Sequence, residues 1–282
     1  MGIIELITYK FFLKALIAAL LASTACGIIG TYIVSRRIVF ISGGISHASF
    51  GGIGLGYYLG VDPVFGAAVF GVIVALIVQF MNEHSSIRPD SLIGILWSLG
   101  MAVGIIFIYL TPGYAPDLMS YLFGDILTVT YYDILVLSIT VLITIFTFTV
   151  WYKKILYISF DEEFMKSQGI NTKIVNYVLI CIVALVIVTC IRVVGIILVI
   201  SLLTVPQAIA ELFTSNYKKL MIVSSLFGFF ASIIGLVVSS ILGIPSGATI
   251  IFSLVILFLL IKGIQSIRTK LRLKHNLGKS KS

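Results

Sequence analysis

Apolar stretches about as long as a bilayer is thick recur along almost the whole of this chain. Each holds roughly 20 residues with few charges, enough to cross a hydrocarbon core of about 30 Å as a helix. Nine such segments are read at residues 15–34, 40–60, 64–81, 91–111, 129–151, 174–191, 193–213, 220–242 and 247–263. Only 11% of the residues are charged, against about 25% in soluble domains. The fold class follows: an all-α integral membrane protein, a bundle of about eight or nine transmembrane helices. Residues 1–267 form a single polytopic domain and 268–282 a basic tail. No cleavable signal sequence is expected, because the N-terminus lacks the charged start and the small-residue cleavage site.

The seventh segment contains Pro206, Gln207 and Glu211. Proline removes a backbone hydrogen bond, so this segment is expected to cross with a break. Pro245 and Gly247 punctuate the turn before the last segment.

Charge placement orients the bundle. With Arg36 and Arg37 on the cytoplasmic side, nine crossings put 16 of the 19 Lys and Arg inside; Lys10, Lys14 and Arg192 are the exceptions. The outer loops around Asp62, and around Asp117 and Asp125, carry none. This asymmetry predicts an external N-terminus and a cytoplasmic C-terminus. The two N-terminal lysines make residues 1–12 a candidate interfacial helix. The net charge of +8 is therefore a matter of topology, and no nucleic-acid partner is expected. Cys26, Cys181 and Cys190 lie in apolar segments without a CxxC pair and read as small buried hydrophobes.

One segment carries an ionisable side chain deep in an apolar run. In SGGISHASFGGIGLGYYLG, residues 42–60, His47 sits among serines and glycines. Ionisable groups inside a bilayer are costly and mark pathways, while glycines let a second helix come close. His47, Ser46, Ser42 and, on a later segment, Ser239 are the candidate pathway residues, with His47 the one metal-ligating group among them. A buried histidine bonded to a backbone carbonyl is the plainer alternative.

The longest cytoplasmic loop runs from Tyr152 to Lys173, and its centre reads ISFDEEFMKSQGINTK. Asp161 is placed to cap a helix of about two turns, with Glu162 and Glu163 in its first turn and Gly169 at its stop. Such a helix either joins two spans or docks into another protein. Asp90 is expected to cap the fourth span, and Glu211 to meet Lys218 or Lys219. The chain has no G-x-x-x-x-G-K-[ST] phosphate loop, and its acidic residues lie in loops or near span ends. Both points favour transport driven by a separate ATPase over proton coupling.

Five motifs in order carry a resemblance: SRRIVFISGGISHASFGGIGLGYYLG, RPDSLIGILWSLGMAVGI, FDEEFMKSQGI, VVGIILVISLLTVPQAIAELF and SSILGIPSGATIIF. Together the chain resembles the permease subunits of ATP-binding-cassette importers for divalent metals, the zinc, manganese and iron uptake family. The resemblance implies a fold similar to vitamin B12 and metal-type importer permeases, and a homodimer with two cytoplasmic ATPase subunits and an external binding protein. It implies a coupling helix containing Asp161, Glu162, Glu163, Phe164, Ser167 and Gly169. It also implies a transported divalent metal ion, no covalently bound cofactor, and ATP used only through the partner. The chain departs from the pattern twice. Gly43 stands where the family has an aspartate four residues before the histidine, and Gly243 stands where it often has one before P-S-G. Both departures lie on segments expected to face each other, which keeps open a metal chelate or small organic cofactor as cargo. A membrane-embedded enzyme using His47 is the remote alternative.

Overall fold

The computed structural model describes residues 9–112 and 118–279. The helices are α1 (Lys10–Ser35), α2 (Val39–Leu59), α3 (Pro63–His84), α4 (Pro89–Leu110), α5 (Leu118–Phe123), α6 (Tyr131–Val150), α7 (Tyr152–Phe160), α8 (Glu162–Ser167), α9 (Thr172–Val194), α10 (Ile196–Leu202), α11 (Val205–Glu211), α12 (Tyr217–Leu242) and α13 (Ser246–Lys279), with a short 3₁₀ turn at Ile126–Thr128. Seven are long and apolar enough to cross a membrane: α1, α3, α4, α6, α9, α12 and α13 over Ser246–Arg268. In chain order, these seven with α2 and the pair α10–α11 match the nine segments read from hydropathy. Asp117 and most of the candidate N-terminal interfacial helix lie outside the described residues.

α9 lies at the centre, packed on α3, α2, α6 and α1. Its buried Val183, Ile187 and Cys190 join α1's Ala22, Cys26 and Ile29 in the main core. Across that contact the Cys26 and Cys190 thiols sit 3.9 Å apart, both free and buried. Reading each cysteine alone as a small hydrophobe missed this pairing, because no sequence spacing connects α1 to α9.

α2, α3 and α4 pack backbone to backbone. Gly52 lies against Gly66 of α3, and Gly54 against Gly104 of α4; a Cβ at any of these would strike the facing main chain. This is small-residue packing of the kind that replaces hydrophobic driving force in lipid.

The seventh segment is broken, as its proline predicts. α10 ends at Leu202, α11 begins at Val205, and Pro206 occupies the first turn of α11. Carbonyls freed at such a break must be satisfied inside the protein. The Gln207 amide donates to the Leu202 carbonyl (3.2 Å) and to the Cys26 carbonyl of α1 (2.8 Å). Gly195 opens the segment at φ +82° and meets Gly124, itself at φ +63°. Only glycines combine that backbone region with so close an approach.

The bundle has two chemically distinct ends. At one, Arg36 reaches Glu162 and Lys173 reaches Glu83. At the other, Lys14 lies over the Tyr131 ring and Arg192 pairs with Asp133. Thr130 and Asp133 form a reciprocal capping box at the start of α6. Two terminal assignments change. Arg88 occupies the cap position of α4 with Pro89 following, so Asp90 sits in the first turn and not at the cap. Among the described residues Glu211 forms no ion pair with Lys218 or Lys219.

Candidate functional site

α2 brings Ser42, Ser46 and His47 into its first two and a half turns. Ser42 and Ser46 are fully buried. Their hydroxyls donate to Val39 and Ser42 carbonyls on their own helix, each at 2.7 Å. Such back-bonding satisfies a hydroxyl in an apolar setting without a partner helix. His47 differs. Its Nδ1 is buried and has no hydrogen-bond partner among the described residues. The backbone-carbonyl bond of the plainer alternative is therefore not made at this nitrogen. The ring stacks on Trp97 of α4, with centroids 4.1 Å apart and planes 10° from parallel.

Trp97 also explains the surroundings of Gly43. A Cβ at Gly43 would find the indole alone within contact range, at 3.6 Å. Gly43 and His47 are one helical turn apart, so both lie under one indole. Sequence reasoning quoted the motif containing Trp97 without assigning the ring a role. The signal was a tryptophan on the span that packs against the histidine helix.

Ser239 and Gly243 lie elsewhere. Ser239 donates to the Ile244 carbonyl at 2.6 Å and closes the turn between α12 and α13. Gly243 ends α12 in the left-handed region at φ +66°, a position that favours glycine on conformational grounds. The residue therefore has a backbone role as well as a missing charge. Both line a cavity of about 540 Å³ with Asp125, Pro245 and Ser246. His47 is about 12 Å along α2 from the Arg36 end, whereas Gly243 lies past the far end of α12, about 39 Å from Tyr217, at 1.5 Å per residue. Within one protomer the two departures do not face each other.

A smaller polar cavity of about 180 Å³ adjoins at that far end, lined by Tyr57, Tyr121, Asp125, Asp133 and Arg192. Arg192 Nε meets Asp133 at 3.1 Å. Tyr57 and Tyr121 share a hydroxyl hydrogen bond of 2.7 Å. Burial, then the Tyr57 hydroxyl, push the Tyr121 phenol above its ordinary value. Arg192, one of the three exceptions to the charge asymmetry, thus has a carboxylate partner, a relation no local pattern could show. Among the described residues no cluster of three His, Cys, Asp or Glu could hold a metal ion. His47 offers one imidazole, short of the four ligands of a structural zinc site.

At the opposite end, α8 follows the nine-residue α7. Asp161 accepts from the Phe164 amide at 2.9 Å. Gly169, at φ +73°, donates to the Lys166 carbonyl at 3.0 Å. The helix has six residues, a little under the two turns expected. Its side chains divide by direction. Glu162 turns inward: Arg36 holds Oε2 with both guanidinium nitrogens at 3.1 Å, and Asn176 donates to Oε1 at 3.1 Å. Burial alone would raise the Glu162 carboxyl, but the Arg36 bond and charge, then Lys166 and Asn176, hold it below its ordinary value. Met165 is buried, whereas Phe164 is exposed and the Glu163 side chain is 92% exposed. Ser167 donates to the Phe164 carbonyl. Of the six residues expected to meet a partner, Glu163 and Phe164 point outward, and Glu162 ties the helix to the bundle.

The family described as the ABC 3 transport family matches residues 8–264. The manganese transport system membrane protein MntC of Listeria monocytogenes is 36% identical over 253 residues, covering 90% of each chain. A membrane protein of Synechocystis is 42% identical over 260 residues, covering 92% of each. Among solved structures, PsaBC from Streptococcus pneumoniae in complex with Fab contains a chain that superposes with a TM-score of 0.83 at 32% identity, covering 92% of this chain and 95% of that one.

Proposed function

The chain belongs to the ABC 3 transport family, and on that premise we propose that it is the membrane-spanning permease of an ATP-binding-cassette importer for a divalent transition metal. The observation that carries the metal is the end-to-end similarity to MntC, named for manganese transport. Two copies form the pathway, an external protein delivers the ion, and two cytoplasmic ATPases drive it. The Arg36–Glu162 end faces the cytoplasm and the Asp62, Asp125 and Asp133 end faces outward, with the C-terminus inside.

Carboxylates at the outer mouth attract a cation without enclosing it. His47 lies deeper, with an unpaired ring nitrogen, and a second His47 across a two-fold axis supplies a second imidazole. Neutral imidazole suits zinc, copper, nickel and iron, and a weak site lets the ion leave. Ser42, Ser46 and Ser239 shape the path and contribute no charge. The helix from Asp161 to Gly169 receives the ATPase stroke through Glu163 and Phe164.

Gly43 and the absence of a three-ligand cluster among the described residues favour a second reading of the cargo, a metal chelate or small organic cofactor on the same machinery. Whole-cell elemental analysis under metal limitation separates the two. One metal should fall both in cells lacking the permease and in cells carrying His47→Ala. Unchanged metals in both strains would sink the free-ion reading and leave the chelated cargo.

A further inference from the structure

An apolar cavity lies outside the candidate pathway. It is a groove of about 540 Å³ between α1, α6 and α12, with walls that include Leu20, Ile28, Ile145, Phe148, Leu226 and Phe229. That volume falls within the roughly 300–1,000 Å³ of small-molecule sites. The three aliphatic hydroxyls along its walls are not available to a ligand as free donors, which leaves the Tyr152 phenol beside the charged end. Thr24 donates to Leu20, Thr149 to Ile145 and Ser225 to Met221, each within its own helix. The groove is therefore apolar along its length, and one cation closes one end. Lys218 lines it there, exposed and, among the described residues, without an ion-pair partner. Tyr152 lines the same end beside Trp151, whose ring faces Lys154. Aromatic and basic residues gathered at one depth mark a membrane–water interface.

A long apolar trough ending in a single unpaired ammonium at interface depth complements an amphiphile with an acyl chain and an anionic head. We propose that this groove binds one anionic phospholipid, its chain between α1, α6 and α12 and its phosphate at Lys218. The naming of its leaflet as cytoplasmic rests on the orientation proposed above; the site itself does not. Basic pockets between membrane helices on the cytoplasmic side hold anionic headgroups by the same physics. The three walls come from distant parts of the chain, so a bound lipid would join α1, α6 and α12 as a removable wedge.

The test uses the full-length chain in nanodiscs of equal phosphatidylglycerol and phosphatidylcholine, then native mass spectrometry after mild delipidation. Wild type should retain phosphatidylglycerol over phosphatidylcholine by about fivefold, the effect of one lysine near an anionic headgroup. Lys218→Gln should remove the preference, whereas Lys219→Gln, whose side chain does not line the groove, should keep it. Leu226→Trp should empty the groove of both lipids. Equal retention of the two lipids by wild type, or an unchanged preference in Lys218→Gln, overturns the proposal. A disulfide between copies through Ile222→Cys also overturns it, because the groove would then be covered by a second copy of the chain. Labelling of Ser215→Cys in whole cells by an impermeant maleimide from outside overturns the leaflet and the orientation, a separate failure that leaves the lipid result intact.

Discussion

Trp97 covers His47 face to face, and Gly43 leaves the adjacent turn of α2 without a side chain beside the same indole. The imidazole is thereby fixed in direction while its Nδ1 stays unbonded. Removing the ring should free the imidazole and lose a contact worth about 1 kcal/mol. Trp97→Ala is expected to lower metal uptake several-fold with a small fall in thermal stability, read by elemental analysis and by unfolding of the purified chain. Uptake at the wild-type level would dissociate the stack from transport.

Gly43→Asp should be tolerated, because its Cβ meets the Trp97 ring only at ordinary contact distance. It places a carboxylate one turn from His47, and oxygen ligands favour manganese. The ratio of manganese to zinc accumulated is expected to rise about tenfold, the effect of roughly 1.4 kcal/mol of differential binding. No change in that ratio would remove α2 from the metal path.

Gly54→Ala should destabilise strongly. Its Cβ would strike the Gly104 main chain, which cannot rotate away, and overpacking of this sort costs about 1–3 kcal/mol. Gly94, on the same helix as Gly104 but with nothing near its Cβ position, serves as the control. Gly94→Ala should unfold with the wild type in a thermal melt, and a loss equal to that of Gly54→Ala would contradict the backbone packing described.

Glu162 makes a pH-dependent tie. Its folded carboxyl titrates below the ordinary value of 4.5, so the tie contributes fully above that pH and is lost as pH falls through the lowered folded value. Glu162→Gln should therefore unfold earlier than wild type at pH 7, by about 1 kcal/mol for a partly exposed pair. The gap should shrink as pH drops below 4.5, and a gap that persists in acid would assign the difference to packing.

Glu163→Lys and Phe164→Ala should leave insertion and unfolding temperature unchanged, because both side chains are exposed. They should lower cargo-stimulated ATPase activity of the reconstituted transporter more than tenfold. Full stimulation in both variants would falsify the docking role of α8.

The segments were legible because a bilayer demands length and apolarity from a crossing, and seven of the nine meet both as single helices. The break was legible through Pro206, and the capped helix through Asp161 and Gly169. What could not be read was any relation between distant elements. Trp97 meets His47 across two helices, Arg192 finds Asp133 59 residues away, and Arg36 finds Glu162 126 residues away. Sequence also assigned Gly43 and Gly243 one shared meaning, whereas depth along α2 and α12 separates them. A glycine in the left-handed region and a glycine beside an indole look identical as letters.

The glycine contacts that bind α2 to α3 and α4 restrict how this protein can move. Side chains that interdigitate can change rotamer and let two helices slide, but main chain against main chain has no such freedom. The three helices must travel as one body, carrying His47 and Trp97 together without altering the stack between them. Any relative movement is therefore left to the seams of that body with α9 and α10, where side chains and not glycine backbones make most of the contact.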